Sequence, residues 1–325
     1  MKLPRRRFLH LAVGAAALPA VSHVAKAQSY PTRPVRLIVG FPAGGAADIV
    51  ARLMAQWLSE RLRQQFVVEN RPGAGTNIGT GAVVNATADG YTLLFATTPN
   101  AINATLYDNL EFNFMRDIAP VAGILRAPLV IVINPSVPAK TVPDFIAHVK
   151  ANPGQINMAS AGIGSPGHLA GELFKTMAGI NMLHVPYRGG APALTDLLGG
   201  RMQVYFSVLP DSMEHIRAGR LRALAVTTAT RWEALPDLPT MGDFVPGYEV
   251  SAWQGIGAPK NTPTEIIEKL NKEINATLAD HEIKRRLGDL GGVPMPMTPA
   301  EFGKFIVAET EKWGKAVKFS GAKAR

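Results

Sequence analysis

The chain has 325 residues, of which 47% are hydrophobic and 18% charged, so it is long enough for about two globular domains and too apolar to be disordered throughout. It contains no cysteine, which excludes disulfide frameworks, thiolate metal sites and a cysteine nucleophile. The formal net charge is +9, but residues 1–27 supply five of these charges, and the remaining surface is too mildly basic to indicate a nucleic-acid partner.

The N-terminus has the pattern of an export signal. Three arginines, Arg5–Arg7, precede a mostly apolar stretch from Leu9 to Val21, and Ala25-Lys26-Ala27 has the small residues of a cleavage site. The apolar stretch is too short to span a membrane. We therefore expect export and cleavage after Ala27. The order Arg-Arg-Arg-Phe-Leu resembles a twin-arginine signal, and an ordinary secretory signal is the alternative.

Beyond residue 27, short apolar strands alternate with amphipathic helices. The predicted strands are 35–39, 65–68, 91–96, 128–133 and 221–226. The predicted helices are 49–62, 141–151, 167–178, 191–198, 263–279, 280–289 and 299–318. Strands that alternate with helices are typical of parallel sheets covered on both faces, so the predicted fold class is α/β.

The chain is predicted to cross twice between two lobes. Lobe one comprises residues 28–125 and 251–325, and lobe two comprises residues 126–250. Two crossings form a hinge, and ligands commonly bind at such an interface. Trp253, which lies at the second crossing, either contacts a ligand or belongs to the core.

Two glycine-rich turns, one in each predicted lobe, are candidates for binding an anion. The first runs from Gly40 to Asp48 and the second from Ser160 to His168, each between a strand and a helix. Backbone N–H groups at a helix start bind carboxylate or phosphate without a basic side chain, and glycines allow a close approach. One such turn alone is more often a tight connection, but two from opposite lobes favour a cleft.

Two further loops carry polar side chains that can complete the hydrogen bonds of an anion. Thr97, Thr98 and Asn100 follow one predicted strand, and Tyr187 and Arg188 precede the helix at 191–198. The guanidinium of Arg188 can steer or clamp an anion, and the alternative is a solvated surface arginine.

Other chemistries fit the second turn poorly. Gly162-x-Gly164-x-x-Gly167 has the form of a dinucleotide fingerprint, but Pro166 interrupts it and no acidic residue follows at the distance of a ribose partner. Ser165 and His168 lack the flanking glycine of a nucleophile elbow, which disfavours a hydrolase. His168 and Glu172, one helical turn apart, are a common coincidence. We expect no enzymatic activity, no cofactor and no metal.

Seven short motifs occur together along the chain. They are Val39–Gly45 with Asp48 and Arg52, Asn70–Gly75, Ala101–Asn103, Gly167–Glu172, Val185–Gly189, Gly219–Val226 and Leu235–Thr240. Jointly these motifs resemble the receptors of tripartite tricarboxylate transporters, also called the Bug family, over about residues 30–322.

The resemblance implies a monomeric periplasmic protein with a two-lobe flytrap fold. Such a receptor captures a small organic acid (a di- or tricarboxylate, an aromatic acid or an amino acid) and delivers it to membrane permease subunits of the same transporter type. A ligand-sensing subunit for a membrane kinase is the alternative. The resemblance implies no nucleic-acid partner.

The resemblance also implies which residues hold the solute, chiefly through main-chain groups of the two turns. The predicted ligand-binding residues are Phe41, Pro42, Ala43, Gly44, Gly45, Ala46, Asp48, Thr97, Thr98, Asn100, Ala161, Gly162, Gly164, Ser165, His168, Tyr187, Arg188 and Ser207. Relatives often carry Asp or Asn where Ser207 stands. Because a neutral hydroxyl cannot pair with an ammonium group, this departure favours an organic acid over an amino acid.

Overall fold

The computed structural model describes residues 30–324, and the main body of the fold begins at Arg33. The predicted signal at residues 1–27, including the cleavage after Ala27, lies outside the described residues. Within residues 30–324, no helix combines the length and the apolar character that a membrane crossing requires.

Strands and helices alternate along the main body. The strands are β1 (Val35–Val39), β2 (Phe66–Asn70), β3 (Thr92–Thr97), β4 (Ile118–Ile133), β5 (Asn157–Ser160), β6 (Leu183–Pro186), β7 (Val204–Val208), β8 (Arg222–Val226), β9 (Ser251–Pro259) and β10 (Val293–Pro294). The helices are α1 (Ala46–Leu62), α2 (Asn77–Val84), α3 (Thr98–Leu106), α4 (Phe114–Asp117), α5 (Val142–Ala151), α6 (Pro166–Ala178), α7 (Gly190–Leu198), α8 (Leu209–Arg217), α9 (Thr264–Ala279), α10 (His281–Asp289) and α11 (Pro299–Ser320). The strands and helices predicted from periodicity are confirmed with ends that shift by at most three residues, except for β4, which begins ten residues before its predicted start.

The long strand β4 joins two sheets. Its first part, from Ile118 to Pro128, pairs with β9 in a sheet ordered β2-β1-β3-β9-β4. Its last part, from Leu129 to Ile133, lies between β7 and β8 in a second sheet that continues through β5 to β6. The sequence predicted only the second part, since Pro120 and Gly123 disfavour a strand and coincide with register shifts in the ladder.

The expectation of wholly parallel sheets is wrong. The strands β1, β2 and β3 are parallel, and so are β5, β6 and β7, but β4 runs antiparallel to β7, β8 and β9. The reason is the path of the chain: β4 leaves the first sheet for the second, and β9 returns to the first sheet in the opposite direction.

The C-terminal helix α11 covers one side of this arrangement. It packs against α3, β4 and α6. Phe302 and Phe305 of α11 meet the Trp253 ring edge-on, with ring centroids 5.9 and 5.6 Å away. Trp253 and Phe302 are fully enclosed and belong to one large apolar core that also contains Phe174 of α6. A single core therefore supports elements of both sheets.

Candidate functional site

The two glycine turns border the same cleft. A small cavity of about 60 Å³ is lined by Phe41, Pro42 and Ala46 from the first turn and by Ala161 from the second. A larger cavity of about 610 Å³ beside it is lined by Phe41 and Pro42 on one side and by residues 161–163 on the other. Ala43, Gly45, Thr97 and Thr98 also line the small cavity, and Gly162, Ser165, Tyr187 and Arg188 also line the larger one.

The first turn is held by a buried carboxylate. Gly44 adopts the left-handed conformation (φ +87°), and its N–H donates to Asp48 Oδ2 over 3.0 Å. The Asn70 side-chain amide donates to the other oxygen of Asp48, and Arg52 Nε donates to Oδ2, both over 2.9 Å. Burial raises the pKa of Asp48, but the hydrogen bonds from Arg52, Gly44 and Asn70 outweigh it and lower the pKa below its ordinary value. Asp48 thus supports the turn and does not line either cavity.

A second carboxylate reaches the first turn from α8. The N–H of Ala46, the first residue of α1, donates to Asp211 Oδ1 over 2.5 Å. Asp211 borders the small cavity, and burial raises its pKa to about 6 even though the Ala46 N–H acts in the opposite direction. The sequence analysis did not assign Asp211 to the site. Its only local signal is its place after Pro210, in the first turn of the helix that follows β7.

The second turn uses its amides internally. The N–H of Gly162 donates to Ser160 Oγ, and the N–H of Gly164 donates to His168 Nδ1. Ser165 Oγ caps α6 by accepting the His168 N–H over 3.2 Å. Because these N–H groups are bonded within the turn, the turn lines the cleft but offers a ligand fewer backbone N–H donors than the sequence suggested.

The two turn glycines themselves face away from the small cavity. Gly44 lies in an outer groove that also contains Arg52 and Asp211. Gly164 packs against α3, where an added Cβ would lie 2.6 Å from Leu106 and 3.0 Å from Asn103 Oδ1. The crevice between the turns is instead formed by their flanking residues.

His168 stacks on a second histidine that the sequence did not connect with it. The rings of His168 and His184 lie 4.1 Å apart with an interplanar angle of 18°, and His184 Nε2 is 2.6 Å from Ser160 Oγ. Burial lowers the pKa of His168 to about 3 and that of His184 to about 4, so both rings are neutral near pH 7. His184 stands on β6, and no local spacing relates it to α6.

One cluster of possible metal ligands occurs among residues 30–324. It consists of His168, His184 and Glu172, whose donor atoms lie within 4.8 Å of one another. However, Lys175 Nζ donates to both oxygens of Glu172 over 2.9 Å. Since a cation would have to displace this ammonium group, the donor set fits a metal poorly.

Among the predicted polar residues, Thr97 and Thr98 reach the small cavity and Asn100 does not. Thr98 Oγ1 accepts the backbone N–H of Trp253 over 2.9 Å. Asn100 is buried at the start of α3, where Oδ1 accepts the Thr97 N–H and Nδ2 donates to Thr80 Oγ1. Asn100 therefore caps a helix that the sequence did not predict.

Tyr187 and Arg188 stand at the larger cavity. The Tyr187 hydroxyl donates to Asp196 Oδ2 over 2.6 Å, and its pKa is raised to about 12, chiefly by burial and then by that hydrogen bond. Arg188 is exposed, and among residues 30–324 its side chain has no hydrogen-bond or ion-pair partner.

Ser207 lies outside both cavities. It is fully buried in β7 opposite Val130, and its hydroxyl donates to the Val208 carbonyl oxygen over 3.1 Å. Two neighbours on β9 line the small cavity instead: Trp253, and Gln254, which the sequence analysis did not consider. A polar atom of each is buried without a partner among the described residues, namely Trp253 Nε1 and Gln254 Oε1.

Comparisons with known proteins agree on one family. Residues 50–321 match the family described as "Tripartite tricarboxylate transporter family receptor". The protein BugT of Bordetella pertussis is 38% identical over 302 residues, which cover 92% of this chain and 93% of BugT.

Solved structures share this architecture as well. Rpa4515 of R. palustris, determined with adipate, has a TM-score of 0.88 and 39% identity over 90% of this chain and 99% of its own. MatC from Rhodopseudomonas palustris with bound malate has a TM-score of 0.84 and 28% identity over 89% of this chain and all of its own. The α/β class with two lobes and the resemblance found in the sequence are both confirmed. The chain belongs to the tripartite tricarboxylate transporter receptors, the Bug family of periplasmic solute-binding proteins.

Proposed function

We propose that this protein is a periplasmic receptor, exported and cleaved after Ala27, that captures a small carboxylate-bearing solute and delivers it to a tripartite tricarboxylate-type permease. The observation that carries the proposal is that the two glycine turns border one cleft, with the first turn of α1 directed to it. The positive end of a helix stabilises a carboxylate there. The relatives determined with adipate and malate, both carboxylates, support the solute class.

The proposed lobes are residues 28–125 with 251–325, and residues 126–250. The change of partner along β4 supports the first boundary, because Pro128 pairs with β9 and Leu129 pairs with β7. The return connection supports the second, since the Val250 N–H donates to the Thr227 carbonyl oxygen just before β9. Closure of the lobes would remove a bound carboxylate from water and strengthen its hydrogen bonds.

The proposed role is binding without catalysis. Ser165 Oγ accepts a backbone N–H, and His168 Nδ1 accepts the N–H of Gly164, so both side chains hold the turn. The His168 ring also stacks on His184, which fixes its orientation. A nucleophile would need its hydroxyl bonded to the ring of the base, and these two residues do not have that arrangement.

The proposal is tested by identifying the solute and then closing the cleft. Mass spectrometry of the molecule released from purified, denatured protein should give a carboxylate, and titration calorimetry should measure its affinity. Ala161 borders both cavities, so Ala161→Trp should weaken binding by about a hundredfold or more. The matched control is Ala308→Trp on the exposed face of α11, which should bind as the unchanged protein does. Recovery of a solute without a carboxyl group, or tight binding by Ala161→Trp, would contradict the proposal.

A further inference from the structure

The small cavity contains an acid and no base. Asp211 borders it, and among its lining residues there is no lysine, arginine or histidine. Within the described chain, Asp211 has no basic side chain within ion-pair distance. Its carboxylate instead accepts a hydrogen bond from the backbone N–H of Ala46. The start of α7 is also close, because a side chain at Gly190 would overlap Asp211 Oδ2. Asp211 thus accepts a hydrogen bond at the same helix end that the proposed function assigns to the carboxylate of a solute, so the two negative charges would lie close together.

Two buried atoms of residues that line the same cavity as Asp211 indicate that the cavity suits a polar ligand. Trp253 is 2% exposed and Gln254 6% exposed, yet Trp253 Nε1 and Gln254 Oε1 have no partner among residues 30–324. A buried polar atom without a partner costs free energy that a ligand recovers. The indole N–H is a donor suited to a carboxylate oxygen, while the Asp211 carboxylate is an acceptor suited to a donor of opposite charge.

The charges in the cleft then restrict the solute. A plain carboxylate would place a second negative charge close to Asp211 in a partly buried cavity without a base, which is unfavourable. A solute that carries an ammonium group beside its carboxylates brings one negative charge fewer than the plain acid, and its ammonium group can pair with Asp211. A proton on Asp211 would relieve the same repulsion for a plain carboxylate.

We propose, resting on the proposed carboxylate receptor function, that Asp211 is the residue that selects among solutes: it favours amino acids, whose ammonium group pairs with it, and admits a plain carboxylate only with uptake of a proton. This reverses the preference for an organic acid that Ser207 suggested, because Ser207 lies away from the cavity and Asp211 supplies the charge that Ser207 lacks.

Charged and titratable groups surround Asp211 on two sides. On the inner side, Asp48 of α1 is bonded to Gly44, Asn70 and Arg52, and Tyr205 of β7 is fully buried with its pKa raised by burial and by Asp211. The outer groove, which Asp211 also borders, contains Arg52, Glu214, His215, Arg217, Arg286 and Asp289. The pKa of Asp211 lies near 6 because burial outweighs the Ala46 hydrogen bond, so proton uptake falls within an accessible pH range.

The experiment compares acids that differ only in an amino group. Titration calorimetry of the full mature chain with L-glutamate against glutarate, and L-aspartate against succinate, is run from pH 5 to 8. At pH 7.5 the amino acid of the better-bound pair should bind about tenfold or more tightly than its deaminated partner. The plain acid should gain up to about tenfold in affinity per pH unit as the pH falls towards 6, and its binding near pH 7 should take up a proton, measured in buffers of different ionisation enthalpy.

The variant Asp211→Asn keeps the shape of the side chain and removes its charge. It should abolish the preference for the amino acid, strengthen binding of the plain acid by about tenfold at pH 7.5 and remove its pH dependence. Asp289→Asn, at a carboxylate of the outer groove that does not line the cavity, should change none of these.

Equal affinity for both acids of a pair, with no proton uptake in the unchanged protein, would overturn the role of Asp211 even if Asp211→Asn failed to fold. Failure of the proposed function would look different, since no carboxylate of either series would then bind and the released solute would be of another class.

Discussion

The two glycine turns have the same layout in the sequence but satisfy their amides in different ways. In the first turn, Gly44 and Ala46 donate to the carboxylates of Asp48 and Asp211. In the second turn, the N–H of Gly162 donates to the Ser160 hydroxyl, and the N–H of Gly164 donates to Nδ1 of the neutral His168.

The two turns therefore differ in the charge of the groups that hold them. The first turn is bonded to two carboxylates, so we expect a solute carboxylate, an ammonium group or a proton to change the electrostatic energy there. The second turn is locked by neutral contacts and acts as a rigid wall, so its residues should affect stability more than affinity.

The largest effect is expected from the support of the first turn. Asp48→Ala leaves the Gly44 N–H without its acceptor, removes the carboxylate partner of Arg52, and leaves the Asn70 amide only the Phe41 carbonyl oxygen, which should lower the free energy of unfolding by about 3–4 kcal/mol and weaken solute binding. Arg52→Ala, which removes a half-exposed partner of the same carboxylate, should cost at most about 1 kcal/mol. Urea unfolding measures both. Equal losses in the two variants would show that Asp48 does not organise the turn.

The glycines of the two turns can be compared directly. Gly164→Ala combines a left-handed backbone (φ +79°) with a close contact to Leu106, and should cost about 3 kcal/mol. Gly44→Ala has the same backbone penalty but no atom within 4 Å of the new Cβ, and should cost about 1–2 kcal/mol. Thermal unfolding and calorimetry give stability and affinity, and the prediction fails if Gly44→Ala is the less stable of the two.

Acid should lower the free energy of unfolding through the two histidines at the second turn. Unfolded histidines bind protons below their ordinary pKa of 6.5, whereas folded His168 and His184 stay neutral down to about 3 and about 4. The unfolded state therefore binds more protons in this window, and stability falls as the pH falls. Asp211 acts in the opposite sense, because its folded pKa of about 6 lies above its ordinary 3.8.

The net loss between pH 7 and pH 5 should be about 2 kcal/mol in urea unfolding. The double variant His168→Asn/His184→Asn should remove this loss and leave the opposite trend of Asp211, so that its stability rises by about 1 kcal/mol between pH 7 and pH 5. The control His281→Gln, on the exposed start of α10, should keep the dependence of the unchanged protein. Stability of the unchanged protein that is constant or rises between pH 7 and pH 5 would contradict the neutral histidine pair.

The smallest effect is expected from the cap of α6. Ser165→Ala removes the acceptor of the His168 N–H and should cost about 1 kcal/mol without changing solute affinity. Thr141→Ala, at the equivalent cap of α5, is the matched control and should cost the same. A marked loss of affinity in Ser165→Ala alone would make this hydroxyl a solute ligand.

Local patterns predicted the regular elements well because apolar periodicity is a local property. They missed α2, whose Gly79 and Gly81 lower helix propensity, so packing against the rest of the fold decides its conformation. They also missed the first part of β4, which contains Pro120 and Gly123 and is stabilised by its pairing with β9.

The site could be predicted only where its parts are contiguous. The residues beside the turn glycines were placed at the cleft, but Asp211 meets Ala46 across 165 positions of the chain, and His184 meets His168 from another strand. Such contacts depend on the assembled topology, which no local spacing encodes. Similarly, Ser207 could not be recognised as buried in the sheet until β7 was placed against β4.

The position of α11 makes the two sides of the receptor unequal. Trp253 lines the small cavity, and two aromatic rings of α11 pack edge-on against it while the same helix touches α3 and α6. No residue of α11 lines the small or the larger cavity, so this helix supports the cleft only through its packing on Trp253. The exposed face of α11 is therefore suited to immobilisation or a fluorescent reporter, because a label there leaves both cavities open.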